Sequence, residues 1–78
     1  MVLEKNIFAS RIKSLRAEKG VSQSALASFL GVTKTQISDI ENAKTLTSIE
    51  RLIALADYFD VSTDFLLGRT DNPNSHKS

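Results

Sequence analysis

Few side chains in this sequence could carry covalent chemistry. Cysteine is absent, and the single histidine, His76, lies in the polar stretch RTDNPNSHKS. A nucleophile needs a base within reach, a metal site needs several converging ligands, and a phosphate cradle needs closely spaced glycines; none of these patterns is present. No catalytic residue, metal or cofactor is therefore expected, and the scattered Ser and Asp residues read as helix caps. What the chain does offer is hydrogen-bonding chemistry. Lys34, Thr35, Ser38 and Asp39 are interleaved with Ile37 and Ile40. At the helical period Thr35, Ser38 and Asp39 point away from the two isoleucines, and Lys34 sits near the exposed N-terminal end. Together they would present an ammonium and two hydroxyls that donate, and a carboxylate that accepts. Such a set suits recognition of a polar surface, although a plain solvated helix face has the same composition.

Helices must position these residues. Phe8, Ile12 and Leu15 recur at helical spacing before Gly20 and predict a first helix over 7–18. Ser22 caps a second over 23–30, with Leu26, Ala27 and Leu30 inward and Gly31 as its stop. Thr33 opens a third over 33–41. Ser48 opens a fourth, whose core face takes Ile49, Leu52, Ile53, Leu55, Ala56 and Phe59. Ser62 starts a short fifth that carries Phe65 and Leu66 and closes at Gly68. No segment alternates at period two for long enough to make a strand, so the expected fold is all-α, a compact five-helix bundle over 1–68. Residues 69–78 are polar, hold the only proline and have nothing to bury, so a tail or linker is expected there.

Size and composition agree with one small domain. Seventy-eight residues, 41% of them hydrophobic and 24% charged, allow a packed core with a total stability of about 4–12 kcal/mol. Without cysteine nothing staples the fold, which suits a reducing, cytoplasmic home. No apolar run approaches the roughly 20 residues of a membrane span, so neither a membrane nor a signal peptide is expected. The net charge is only +1, but it is unevenly spread. Residues 1–45 hold seven Lys and Arg against four Asp and Glu, whereas residues 46–78 hold three against five. A polyanion would meet the first half more readily.

The stretch SQSALASFLGVTKTQISDIENAK, with a tight turn at Gly31 between helices spanning Gln23 to Asn42, resembles the helix-turn-helix of the phage repressor and Cro family of bacterial transcription regulators. The resemblance runs from Arg11 to about Leu67 and also takes in RIKSLRAEKG and SIERLIALADYFDVSTDFLL. It implies a sequence-specific DNA-binding regulator, most naturally a repressor. Such a protein would set its third helix in the major groove of a two-fold operator in double-stranded DNA, as a homodimer. A regulatory protein partner of unidentified kind would be a further possibility. Antitoxin-type interaction modules and restriction-modification controllers share the fold and are the competing expectation.

The resemblance also implies roles for single residues. Lys34, Thr35, Ser38 and Asp39 would touch bases: the lysine donating to guanine, the threonine bonding or offering its methyl to thymine, the aspartate accepting from cytosine. Phosphate contacts are expected from Ser22 and Gln23 at the start of the second helix, from Gln36, Asn42 and Lys44 across the groove, and from Lys13. Arg16 and Glu41 fall where the family joins its first helix to the end of its third by an ion pair. Ala43 and Thr47 stand where the family usually has glycine and proline, which leaves the path of the following loop open. Finally, Tyr58 lies opposite the core face of the fourth helix with Arg51 and Ala54. Together with Phe65 and Leu67 these form the expected dimer surface.

Overall fold

The computed structural model describes residues 5–74. Residues 1–4 and 75–78, and with them His76 and the two ends of the expected domain and tail, lie outside the described residues. Five helices follow one another: α1 Lys5–Lys19, α2 Gln23–Leu30, α3 Lys34–Glu41, α4 Ile49–Phe59 and α5 Thr63–Leu66. The described chain is all-α, as its periodicity predicts. The first helix runs two residues further back and one further on than the predicted 7–18. The third begins at Lys34 because Thr33 is its extended N-cap, at φ −84° and ψ 158°.

The helix starts follow from one device. Ser22, Thr33, Ser48 and Ser62 each hold extended backbone and accept, on the side-chain oxygen, the N–H three residues on, from Ala25, Gln36, Arg51 and Phe65. Each such cap contributes about 1 kcal/mol. Between α2 and α3 the chain turns at Gly31, whose φ of 71° lies in the left-handed region. A Cβ there would meet nothing within 4 Å, so conformation alone asks for glycine.

Phe8, Ile12, Leu26, Ile37, Leu55, Phe59 and Leu66 are fully buried, so every helix contributes to one core. Burying each contributes about 1.5–3 kcal/mol. Helix α3 packs against α1 and α2, which hold it at the surface with Ile37 and Ile40 inward.

One expectation is corrected here. Ile49 and Ile53 do not join the core; they are 75% and 50% exposed. The buried arc of α4 is narrower than the sequence suggests, taking Leu55, Ala56 and Phe59 fully and Leu52 in part, where α2 and α5 pack against it. Residues 69–74, in the segment expected as a tail or linker, make contacts with the bundle. The Arg11 guanidinium donates to the carbonyls of Phe65 and Thr70, pairs with Asp71 at 2.9 Å and lies 4.1 Å from the Phe65 ring centre. Further on, the Ser62 N–H donates to the Pro73 carbonyl at 2.8 Å. Besides the Asp71 carboxylate, the segment is held through backbone carbonyls, which a reading of side-chain polarity does not register.

Candidate nucleic-acid interface

The outward face of α3 begins at its N-terminal end. Lys34, Thr35 and Gln36 are exposed, whereas Ser38 and Asp39 are half-buried. Thr33 and Gln36 form a reciprocal cap. The Thr33 hydroxyl accepts the Gln36 N–H at 3.1 Å, and the Gln36 carboxamide oxygen accepts the Thr33 N–H at 2.9 Å. Gln36 therefore spends its acceptor within the chain and keeps its NH2 group as a donor. Ser22 is similarly occupied, accepting the Ala25 N–H at 3.0 Å. Asn42 donates to the Ser38 hydroxyl at 3.3 Å. Lys13, Lys34 and Lys44 are exposed and form no ion pair among the described residues.

Arg16 and Glu41 meet as expected from the resemblance. Arg16 Nε donates to Glu41 Oε2 at 2.6 Å and Nη2 to Oε1 at 3.1 Å, while Nη1 donates to the Val21 carbonyl at 3.0 Å. Gln23 adds a fourth link, its Nε2 donating to Glu41 Oε1 at 3.0 Å. A single carboxylate at the end of α3 thus ties α1, α2 and α3 together. Burial pushes the Glu41 carboxyl up, but the hydrogen bonds from Arg16 and Gln23, with the charges of Arg16 and Lys13, outweigh it and hold the group below its ordinary value. The hydrogen bond to Glu41 raises Arg16 against the opposing effect of desolvation.

Two residues make side-chain contacts that the sequence does not announce. Gln23 turns its side chain to Glu41, and the backbone N–H groups at the start of α2, on which its expected phosphate contact rests, are not engaged by that contact. The signal for this was only its position beside a predicted ion pair. Arg11 clasps the carbonyls of Phe65 and Thr70, and no feature of the sequence distinguishes such an arginine from one in solvent. After α3, Ala43 adopts φ 60° and donates its N–H to the Ile40 carbonyl at 3.1 Å. The loop keeps the left-handed turn for which glycine is usual, now with a Cβ on it.

The five residues expected at the dimer surface have different neighbours. Tyr58 packs on Phe29, ring centres 4.5 Å apart, and edge-on to Phe59 at 5.0 Å. Arg51 and Ala54 border an open cleft with Phe29. Phe65 lies under Arg11, and Leu67 lines a groove with Ile49 and Ile53.

Residues 12–66 match the family model described as helix-turn-helix, and the chain belongs to that family. It is 39% identical over 64 residues to the SPbeta prophage-derived uncharacterized HTH-type transcriptional regulator YonR of Bacillus subtilis (strain 168), covering 82% of this chain and 59% of that one. Among solved structures it is similar to the biofilm master regulator SinR in complex with DNA. That likeness has a TM-score of 0.67 and 44% identity, over 77% of this chain and 97% of that one. It is also similar to the restriction-modification controller C.AhdI of Aeromonas hydrophila, with a TM-score of 0.71 and 27% identity, over 80% and 94%. The chain spans about 60% of the length of several curated relatives it matches, and 15% or less of others.

Proposed function

We propose that this chain is the DNA-binding domain of a transcription regulator, reading double-stranded DNA with α3 in the major groove and acting as a dimer on a two-fold operator. The observation that carries the reading is the seating of α3. Its isoleucines are locked into the core and its end is fixed to α1 and α2 through Glu41, while Lys34 and Thr35 stand exposed on a rigid support. A major groove admits a helix of this kind and presents each base pair as a distinct donor and acceptor pattern. SinR, the relative solved on DNA, supports the choice of ligand. Lys34, Thr35, Ser38 and Asp39 are the proposed base readers. Lys13, Asn42 and Lys44, the Gln36 carboxamide and the N–H groups after Ser22 are the proposed phosphate contacts.

Repression is the simplest outcome of such binding, since an occupied operator excludes other proteins. The likeness to C.AhdI keeps a controller of restriction-modification genes as the second reading. Selection of bound sites from random duplex DNA tests the proposal. A two-fold consensus is the expected result, and recovery of unenriched sequence would overturn it.

A further inference from the structure

In the major groove adenine sets an N6 donor beside its N7 acceptor, whereas guanine sets an O6 acceptor beside its own. Reading adenine through both atoms takes a donor and an acceptor on one edge, which a carboxamide supplies and an ammonium or a carboxylate does not. The carboxamides around α3 are those of Gln23, Gln36 and Asn42, and each has one of its two polar atoms turned to a neighbour in the chain. Gln23 Nε2 donates to Glu41 at 3.0 Å and Asn42 Nδ2 to the Ser38 hydroxyl at 3.3 Å. Gln36, exposed in the first turn of α3, accepts the Thr33 N–H at 2.9 Å, and the Thr33 hydroxyl lies 3.4 Å from the same oxygen. A backbone N–H can only donate, so the atom that faces it is the carboxamide oxygen. What Gln36 has left to offer is its NH2 group.

We infer that the exposed end of α3 selects guanine and rejects adenine, because the cap with Thr33 fixes Gln36 as a donor; the inference rests on the placement of α3 in the major groove proposed above. Lys34 and Gln36 then present donors alone. Guanine meets them with two acceptors side by side, whereas adenine would set its N6 donor against a donor. Asp39 is the complement, a carboxylate with no donor. It suits cytosine N4, and on adenine it would lie against the N7 lone pair. The Thr35 and Ser38 hydroxyls can both give and accept, so they leave this balance unchanged. A half-site built on G·C pairs is the consequence. Phosphate oxygens are acceptors too, so a donor-only Gln36 fits either a guanine edge or the backbone beside it.

Duplexes recovered by site selection with the full chain, rebuilt with 7-deazaguanine or 7-deazaadenine at each half-site purine in turn, test the inference. Removing N7 from at least one guanine should weaken binding by about tenfold or more, and removing it from any adenine should change binding by less than about twofold. A tenfold loss at an adenine, or at no guanine, would overturn the inference and leave the DNA reading in place. Selection that enriches no sequence would overturn both. Gln36→Glu supplies a second arm. A glutamate three residues after the cap still accepts the Thr33 N–H, but it presents an oxygen where the NH2 group was. The variant should melt like the parent and bind the selected duplex about tenfold or more weakly. A loss confined to the selected duplex places Gln36 on a guanine edge, and a loss shared with random duplex places it on phosphate; both sustain its role as a donor. A Gln36→Glu protein that binds the selected duplex like the parent would overturn that role. The deaza arm uses the parent chain and decides the matter if the variant does not fold.

Discussion

Glu41, the last residue of α3, receives the Arg16 guanidinium on both carboxylate oxygens, at 2.6 and 3.1 Å, and shares one of them with Gln23 at 3.0 Å. The Glu41 side chain is 3% exposed and that of Arg16 20%, so the two ends of the pair are not equivalent.

Removing the arginine strands a buried carboxylate. Arg16→Ala is expected to cost about 3–5 kcal/mol, a large share of what a domain of this size has. Glu41→Ala should cost less, because the guanidinium left behind can turn to water. Urea unfolding of both variants measures the difference. An Arg16→Ala protein that unfolds at the parent's midpoint would show the pair to be without weight.

The same pair makes stability depend on acid. Glu41 in the folded chain lies below its unfolded value of roughly 4.3. Its contribution is therefore complete above that pH and is lost as pH falls through the lower, folded value. Unfolding midpoints should drop across this window in the parent and drop less steeply in Glu41→Gln. Parallel pH profiles would contradict the assignment.

Ala43 holds φ 60°, a conformation that costs a residue with a Cβ about 1–2 kcal/mol. Part of that cost returns as glycine's greater freedom in the unfolded chain, so Ala43→Gly should stabilise by about 0.5–1 kcal/mol. A lower melting temperature for the variant would mean that the Cβ makes a compensating contact.

Sequence reading succeeded where one residue type answers one local need. Ser22, Thr33, Ser48 and Ser62 cap helices because a short side-chain oxygen reaches an orphan N–H, and Gly31 turns because it has no Cβ. The meeting of Arg16 with Glu41 was legible only through the family resemblance, since 25 positions separate them. The exposure of Ile49 and Ile53 was not legible. Helical periodicity tells which residues share a face, but the width of the covered arc depends on neighbouring helices. The docking of residues 69–74 was hidden for another reason: besides the Asp71 carboxylate, its acceptors are the carbonyls of Thr70 and Pro73, which every sequence has. The proposed base readers were identified by polarity and resemblance, and the fold adds that Ser38 and Asp39 are half-buried while Lys34 and Thr35 stand clear.

Binding to duplex DNA should weaken steeply with salt. A dimer that neutralises about six to ten phosphates gives a slope of log K against log salt near −5 to −9. Titrations at several ionic strengths determine it, and an affinity indifferent to salt would exclude phosphate contacts as the main source of binding.

The central claim is that α3 reads base edges. It is tested most directly by measuring the affinity of the parent, Lys34→Ala and Lys44→Ala for a selected duplex and for random duplex side by side. Lys34→Ala should lose about 1–3 kcal/mol on the selected duplex and much less on random DNA, narrowing the ratio between them, while Lys44→Ala should weaken both alike. If Lys34→Ala weakens the two duplexes equally, Lys34 contacts only the backbone and the claim fails.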